Sequence, residues 1–287
     1  MPECGVCFRK CNIEEGKTGF CMARTAKDGR VIADNYGRIT SYALDPIEKK
    51  PLRRFRPGSY IFSVGSYGCN LRCPFCQNDS ISWSDKVKNR QTEAVVLQPH
   101  ELAELALEYK KKTGNIGVAF TYNEPLVGYE YVRDTAKLVH RLGMLNVLVT
   151  NGTASSEVAE ELLPYIDAAN IDLKGFTERY YKEVLKGDLQ MVKAFITRAV
   201  KSCHVELTTL IVPGENDSDE EIRELTSWIA ELKDVNGKTA GPDIPLHISR
   251  FFPRFHMTDR EATDVGRIYH LAEAAREKLK YVYTGNC

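Results

Sequence analysis

Three cysteines in the stretch GSYGCNLRCPFCQN are spaced to bind a single metal cluster. Cys69, Cys73 and Cys76 follow the pattern Cys-x3-Cys-x2-Cys, directly after an apolar run at 59–68 that predicts a strand. Three thiolates this close together can ligate three irons of a cubane iron–sulfur cluster, and the fourth iron is then left without a protein ligand. Such an open position can bind a substrate or cofactor, as the open position of a catalytic zinc does. A zinc knuckle is the alternative, but the sequence has no second nearby pair of cysteines or histidines to complete one.

Four further cysteines lie in the first 21 residues. Cys4, Cys7, Cys11 and Cys21 form the pattern Cys-x2-Cys-x3-Cys-x9-Cys. A tetrahedral zinc would stiffen a segment that is too short to bury much core. An auxiliary iron–sulfur cluster would instead relay electrons or anchor a substrate. The spacing fits neither kind of site cleanly, so zinc and a second cluster both stay open. Cys203 stands before a predicted core strand and is expected to be a buried small hydrophobe.

The composition is that of an ordinary globular chain. Of its 287 residues 43% are hydrophobic and 27% are charged. With 39 basic and 39 acidic residues the net charge is zero, so there is no broad electrostatic reason to bind nucleic acid or an anionic membrane. No apolar run approaches the ~20 residues that span a bilayer, and the opening MPECGVCFRK lacks a signal peptide's apolar stretch. We therefore expect a cytoplasmic protein without nucleic-acid or membrane partners, whose clustered thiols bind metal rather than form disulfides.

Short apolar runs alternate with longer helical patterns along most of the chain, in about six β/α units. Apolar strands separated by amphipathic helices predict parallel pairing, in either a doubly wound sheet or a complete or partial barrel. Both architectures place functional residues at the carboxyl ends of the strands. Strands are predicted at 59–68, 116–122, 146–152, 169–175, 204–214, 245–251 and 281–285, and helices at 100–114, 127–143, 155–166, 218–233 and 259–280.

Polar residues stand where several of these strands end. Glu124 lies in TYNEP after the second strand, and Thr150 and Asn151 lie in VTNG after the third. Taken alone, these patterns indicate an exposed turn carboxylate and an Asn-Gly turn. Asp172 and Lys174 share one side of the fourth strand because its side chains alternate. A buried pair there is costly unless a zwitterionic ligand or the pair itself satisfies both charges.

A run of basic residues precedes the first strand of the predicted barrel. Such a run is usually a solvated face, which is the simplest interpretation here. It is also suited to receive an acidic flavodoxin or ferredoxin, or to line a site for an anionic substrate. The residues concerned are Lys49, Lys50, Arg53, Arg54 and Arg56.

Several short motifs together resemble the radical S-adenosylmethionine (SAM) superfamily, whose defining motif is Cys-x3-Cys-x2-Cys. The GCN before the cluster and the ending FCQN look like the glycyl-radical-enzyme activating enzymes, typified by the pyruvate formate-lyase activating enzyme. The chain is more similar still to the AmmeMemoRadiSam-system radical SAM family of bacteria and archaea. That family's motifs stand here at Asp45–Pro51, Gly68–Asn78, Thr121–Pro125, Val149–Gly152, Ile171–Gly175 and Pro213–Asp217, after the early cysteines. Related chains continue past a YxGN motif into another Cys-x2-Cys, so a metal site in the tail is expected to be absent or reduced to Cys287.

The resemblance implies a partial (β/α)6 TIM-like barrel, the radical SAM fold, over residues 59–287. It also implies a small cysteine-rich metal-binding extension over residues 1–58. Cys69, Cys73 and Cys76 would hold a 4Fe–4S cluster whose open iron chelates SAM. One electron from a flavodoxin or ferredoxin would then cleave SAM to methionine and a 5′-deoxyadenosyl radical, which abstracts hydrogen from a substrate.

The resemblance further implies which residues contact SAM. Glu124 would accept a hydrogen bond from the SAM ammonium, and Lys174, supported by Asp172, would bind the SAM carboxylate. The superfamily usually carries a GGE-like motif where this chain has Tyr122, Asn123 and Glu124, so the approach of the backbone differs there. The implied cofactor-binding residues are Asn78, Asn123, Glu124, Thr150, Asn151, Asp172, Lys174 and His247, with His256 as the alternative to His247 at the ribose.

Three functions fit these features. The first is hydrogen abstraction from a partner protein, which produces a glycyl radical as the activating enzymes do. The second is a radical reaction on a small molecule. The third is a noncatalytic iron–sulfur or zinc protein that transfers electrons or acts as a scaffold, and it predicts that SAM is not cleaved.

Overall fold

The computed structural model describes residues 1–89 and 92–287, and these residues form an α/β fold. Apolar strands alternate with amphipathic helices along the chain, as the sequence predicts. The strands are β1 (Arg24–Lys27), β2 (Arg30–Ala33), β3 (Arg38–Ile39), β4 (Ser41–Pro46), β5 (Tyr60–Gly65), β6 (Val95–Val96), β7 (Gly117–Phe120), β8 (Leu145–Thr150), β9 (Ala168–Asp172), β10 (His204–Ile211), β11 (Leu246–Arg250) and β12 (Val282–Gly285). The helices are α1 (Asp79–Ser82), α2 (Asp85–Lys88), α3 (Pro99–Thr113), α4 (Tyr129–Arg141), α5 (Ser156–Leu162), α6 (Leu189–Ala199), α7 (Asp219–Ala230) and α8 (Val265–Arg276).

One large sheet dominates the fold, with the strand order β12-β11-β10-β9-β8-β7-β5-β4. The seven strands from β5 to β12 in this sheet run parallel to one another, and α3 to α8 each connect one of them to the next. The order is sequential from β5 onward, as in a barrel, but β12 and β4 lie at opposite ends of the sheet. The predicted partial (β/α)6 barrel is therefore confirmed, and the doubly wound alternative is not adopted.

Local signals set most helix ends close to where the sequence predicts them. Ser155 caps α5 by accepting a hydrogen bond from the Val158 amide, and Gly114 ends α3 in the left-handed region. The predicted start of the last helix at residue 259 is wrong. The Thr263 hydroxyl instead donates a hydrogen bond to the Ile211 carbonyl of the sheet at 2.6 Å. Asp264 then caps α8. This buried hydrogen bond to β10 holds the chain before Asp264 in a non-helical conformation, although the residues there have a helical pattern.

Strand β4 belongs to the segment predicted as an N-terminal extension, yet it forms the antiparallel edge of the large sheet. Ala43 lies opposite Ser63 on β5, and Asp45 lies opposite Ile61. The chain before residue 59 is thus continuous with the sheet, and the division at 58/59 stays a prediction. No helix among the described residues is both long enough and apolar enough to cross a bilayer.

The segment after β4 covers part of the sheet face that lies opposite the helices. Ile47 and Leu52 pack against Ala119, Val147 and Ala168 in a small core that is separate from the main one. We call this segment, together with the buried Glu206 of β10 and the groups hydrogen-bonded to it, the barrel floor. The main core lies on the other face, between the strands and α3 to α8.

A buried carboxylate organises the polar part of the barrel floor. Glu206 accepts hydrogen bonds from the Arg53 and Arg54 amides at 2.9 and 2.7 Å, and it lies 3.0 Å from His204 Nε2 and 2.7 Å from His247 Nε2. Burial opposes its ionisation, but these hydrogen bonds outweigh burial and lower the pKa of Glu206 to about 2. The carboxylate therefore ties the segment after β4 to β10 and β11.

We expect Glu206→Gln to lower the free energy of unfolding by about 3 kcal/mol, because the amide NH2 faces donors that need an acceptor. The depressed pKa stabilises the fold fully above the ordinary glutamate pKa of 4.5, and this contribution is lost as the pH falls towards 2. The difference between wild type and variant in urea unfolding should thus shrink between pH 6 and pH 3.

The exposed Glu231→Gln is the matched control and should change stability by less than about 0.5 kcal/mol at any pH. A Glu206→Gln protein as stable as wild type at pH 7 would show that this carboxylate does not hold the floor together.

Candidate cluster and cofactor site

The loop after β5 carries the three central cysteines, and burial makes their ionisation costly. Burial raises the pKa of Cys69 well above the usual thiol range, that of Cys73 to about 12, and that of Cys76 as well. The Leu71 amide donates to Cys69 Sγ at 3.4 Å, and Asn151 Nδ2 lies 3.7 Å from the same sulfur. Cys73 is buried, and Cys69 and Cys76 are half-buried. Thiols in such surroundings that form no disulfide suit an iron–sulfur cluster, because bound iron offsets the cost of the thiolate charge.

The loop approaches the N-terminal segment so closely that only glycine fits at one position. Gly68 has φ +93°, and a Cβ there would lie 2.6 Å from Ala23 Cβ and 2.7 Å from the Cys21 carbonyl oxygen. The next residue, Cys69, donates its amide to the same Cys21 carbonyl at 3.1 Å. The N-terminal segment is thus one wall of the cysteine loop.

Glu124 braces the ends of β7 and β8. Its carboxylate is 3% exposed and accepts hydrogen bonds from Leu126 N at 2.9 Å, Thr150 Oγ1 at 2.6 Å and Asn151 N at 2.8 Å. Burial outweighs these hydrogen bonds and raises the pKa of Glu124 to about 7. The simpler interpretation as an exposed turn carboxylate is therefore wrong.

Two side-chain amides fasten the loop after β7 to the cysteine loop. Asn123 Oδ1 accepts from the Ser66 amide at 2.9 Å, while its Nδ2 donates to the Gly68 carbonyl at 3.1 Å. Asn78 Nδ2 donates to the Tyr122 carbonyl at 2.7 Å. Tyr122 itself has φ +70°, a conformation that costs a non-glycine residue of order 1 kcal/mol and that these contacts maintain.

Asn151 is more than part of a turn, because it links the third strand end to the residue after Cys69. Its Nδ2 donates to Asn70 Oδ1 at 2.9 Å, and its Oδ1 accepts from the Thr153 amide at 2.8 Å. Asn70 is fully buried and donates to the Thr153 carbonyl at 2.7 Å. Sequence reasoning missed Asn70, although its place in the GCN motif was the available signal.

Asp172 and Lys174 satisfy one another at the end of β9. Lys174 Nζ lies 2.7 Å from Asp172 Oδ2, and the side chains are 18% and 32% exposed respectively. Burial alone would favour neutral lysine, but the attraction of Asp172 outweighs it and raises the pKa of Lys174. The pair lies at the same sheet edge as Glu124, because parallel strands end together.

His247 connects the barrel floor to a polar row on the inner face of the sheet. Asp172, Thr208, His247 and Tyr283 stand opposite one another on β9 to β12 and form one polar row on the inner face. The His247 ring stacks on Tyr283 with centroids 5.3 Å apart, and its Nε2 is bound by Glu206. His247 therefore belongs to the barrel floor and the inner row, and its predicted contact with the ribose stays a prediction.

The four N-terminal cysteines line one pocket beside the cysteine loop. Cys4, Cys7, Cys11 and Cys21 share it with Arg9, Arg24 and Asn70. Burial raises the pKa of Cys7, and it raises that of Cys21 to about 11. Throughout residues 1–89 and 92–287, no three or more His, Cys, Asp or Glu side chains are arranged to hold a single metal ion. Zinc and a second cluster both stay predictions for this pocket.

The predicted basic run does not form one solvated face. Lys50 is buried, and its Nζ lies 2.8 Å from Asp45 Oδ2, which also accepts from Tyr122 Oη at 2.8 Å. These two hydrogen bonds outweigh burial and lower the pKa of Asp45 to about 2. The prediction of a solvated face is therefore wrong for Lys50. The other members of the run are exposed, namely Lys49, Arg53, Arg54 and Arg56.

We expect Gly68→Ala to destabilise the protein by about 3 kcal/mol and to reduce the iron it retains after anaerobic reconstitution. The added methyl group overlaps the N-terminal wall as well as straining a positive φ. Gly114→Ala is the control, because it has φ +72° but open space around the new methyl group, and it should cost only about 1 kcal/mol. Equal stability loss and equal iron content in the two variants would contradict the close packing at Gly68.

The Radical SAM superfamily model matches residues 63–226. An uncharacterized protein of Methanocaldococcus jannaschii is 39% identical over 287 residues, which cover 99% of this chain and 80% of that protein. The pyruvate formate-lyase-activating enzyme of Clostridium pasteurianum is 27% identical over 223 residues, which cover 74% of this chain and 89% of that enzyme.

A solved structure shares the fold. The crystal structure of SuiB from Streptococcus suis superimposes with a TM-score of 0.56 at 17% identity, covering 78% of this chain and 48% of that one. The family match spans more than half of the chain and includes the whole cysteine loop and the strand ends that brace it. With its three-cysteine loop at the rim of a partial barrel, the protein belongs to the radical SAM superfamily.

Proposed function

We propose that this chain is a radical SAM enzyme of the AmmeMemoRadiSam-system family. The observation that carries the proposal is the loop of Cys69, Cys73 and Cys76 at the rim of the barrel, beside Glu124 and Asn151. These three cysteines would hold a 4Fe–4S cluster, since their donor set leaves one iron open. When bound, the cluster and SAM supply one-electron cleavage of SAM to methionine and a 5′-deoxyadenosyl radical that abstracts hydrogen from a substrate.

The side chains at the rim would bind and orient SAM. A carboxylate has about four acceptor positions, and Glu124 uses three of them on Leu126, Thr150 and Asn151, so one position is left for the SAM ammonium. Lys174, held by Asp172, would meet the SAM carboxylate. We assign supporting contacts to Asn78, Asn123, Thr150 and Asn151, which already fix the loops around the cysteines.

The favoured substrate is a glycyl residue of a partner protein. The match to a pyruvate formate-lyase-activating enzyme over 74% of this chain supports this choice. A small-molecule substrate is the second candidate, and the polar row of Asp172, Thr208, His247 and Tyr283 supports it, because these side chains can recognise a polar ligand within the barrel.

We further propose that a flavodoxin or ferredoxin supplies the electron and that Cys4, Cys7, Cys11 and Cys21 bind zinc or an auxiliary iron–sulfur cluster. The shared pocket of these four thiols supports the second metal centre. None of the nine cysteines forms a disulfide within residues 1–89 and 92–287. Unpaired thiols are typical of the reducing cytoplasm, which supports a cytoplasmic location.

The proposal predicts that the wild-type protein, reconstituted anaerobically with iron and sulfide and reduced with dithionite, cleaves SAM. Replacing Cys69, Cys73 and Cys76 by alanine together should abolish 5′-deoxyadenosine formation and remove about four irons and four sulfides per chain. Cys203→Ala is the control, because this thiol lies outside both cysteine groups, and it should retain cleavage and metal content.

Retained cleavage in the triple variant would contradict the cluster assignment. A fully reconstituted, reduced wild-type protein that cleaves no SAM would favour the noncatalytic electron-transfer or scaffold function. The two substrate classes differ in the label that 5′-deoxyadenosine acquires, because only a protein deuterated at glycine would transfer deuterium in the first case.

A further inference from the structure

A continuous set of arginines and aromatic rings packs against the cysteine loop. We call it the arginine–aromatic belt. Its members come from four separate parts of the chain, so only folding brings them together. They are Arg9, Phe20, Arg72, Trp83, Phe255 and His256.

One half of the belt is a pair of cations on one ring. The guanidinium carbons of Arg9 and Arg72 lie 3.3 and 3.8 Å from the centroid of the Phe20 ring. Arg72 donates to the carbonyls of Cys69 at 2.9 Å and Leu71 at 2.8 Å, and Arg9 donates to the Asn70 carbonyl at 3.2 Å. Both cations are therefore fixed on the backbone of the loop by hydrogen bonds and by cation–π contact.

The other half is a turn that folds over the same loop from the far end of the chain. His256 donates its amide to the Pro74 carbonyl at 2.8 Å, and Arg254 Nη1 donates to the Gln77 carbonyl at 3.4 Å. Trp83 joins the two halves, with its ring 4.8 Å from Phe255 and 5.5 Å from the Arg72 guanidinium. The outer side chains of this turn, Arg254 and His256, are exposed.

Three arginines at this surface form no ion pair with a carboxylate among the described residues. Within residues 1–89 and 92–287, Arg9, Arg72 and Arg254 have no acidic side chain within ion-pair distance. Arg254 is exposed and Arg9 and Arg72 are half-buried, and cations around a centre that receives electrons favour an acidic partner, because complementary charge steers encounter.

We propose that the arginine–aromatic belt and Arg254 form the docking surface for an acidic one-electron carrier protein. The inference rests on the proposed function, which places the electron acceptor in the loop beneath. The basic run at 49–56 does not fill this role, because Lys50 is buried on Asp45 and the backbones of Arg53 and Arg54 are bound to Glu206 at the barrel floor. The belt contacts the cysteine loop itself, so a carrier bound there has a short path to the cluster.

Charge reversal at one exposed position tests the surface. The reconstituted protein is mixed anaerobically with a reduced acidic flavodoxin, and cluster bleaching is followed by stopped-flow absorbance and confirmed by electron paramagnetic resonance. Arg254→Glu should slow flavodoxin-driven reduction at least ~10-fold at low salt, with a smaller effect at 0.5 M salt. Dithionite-driven reduction should stay within about twofold of wild type, since a small reductant needs no docking surface.

Lys49→Glu is the control, because it makes the same charge change at the barrel floor, where it also removes the ion pair with Asp45, and it should leave both rates unchanged. Arg254→Lys keeps the charge and should restore flavodoxin-driven reduction, which separates a docking effect from misfolding. Equal slowing by Lys49→Glu, or equal slowing with dithionite, would overturn the docking surface.

Three further outcomes would also overturn it. Unchanged flavodoxin reduction in Arg254→Glu, with less deuterium transferred from a glycine-deuterated partner protein, would assign the belt to the substrate protein. A wild-type protein without a dithionite-reducible cluster would reject the proposed function and the docking surface together. A reducible cluster with no effect of Arg254→Glu would reject only the docking surface.

Discussion

The loop that carries Cys69, Cys73 and Cys76 makes few hydrogen bonds within itself, so its shape depends on groups that other elements supply. The Cys21 carbonyl, the Asn123 side chain and the Arg9 guanidinium, which donates to the Asn70 carbonyl, fix its first half. Buried backbone groups that lack a partner cost free energy, so each of these outside contacts is needed. The sheet, the N-terminal segment and the late turn at 254–257 thus converge on one short stretch of irregular chain.

Two buried glutamates show how hydrogen-bond donors decide the charge state. Glu206 lies between two backbone amides and two histidines, which hold its pKa near 2. Glu124 is also hydrogen-bonded, but burial and the nearby charge of Asp172 keep its pKa near 7. The first carboxylate is therefore a fixed anion of the barrel floor. The second gains or loses its proton at little cost, which suits a group that awaits a cationic partner at the rim.

The sequence predicted the repeating part of the fold well, because parallel strands buried on both faces are apolar runs that their own residues define. It also placed Glu124 and Asn151 just after the strands that carry them, whereas Lys174, predicted within a strand, follows the end of β9. It failed where the outcome depends on contacts distant along the chain. Lys50 appeared to belong to a solvated basic run because nothing near it in sequence shows that Asp45 and the Tyr122 ring would enclose it. The start of α8 was misplaced for the same reason, since the partner of Thr263 lies on β10.

The first 58 residues contact both ends of the barrel. Residues up to Ala23 form a wall of the cysteine loop, whereas Ile47 and Leu52 close the floor, and β4 joins the two regions along the sheet edge. A cysteine-rich segment without a long apolar run has little core of its own. Its order must come from these contacts with the barrel and from any metal its thiols bind, so losing either contact should loosen the loop that holds Cys69.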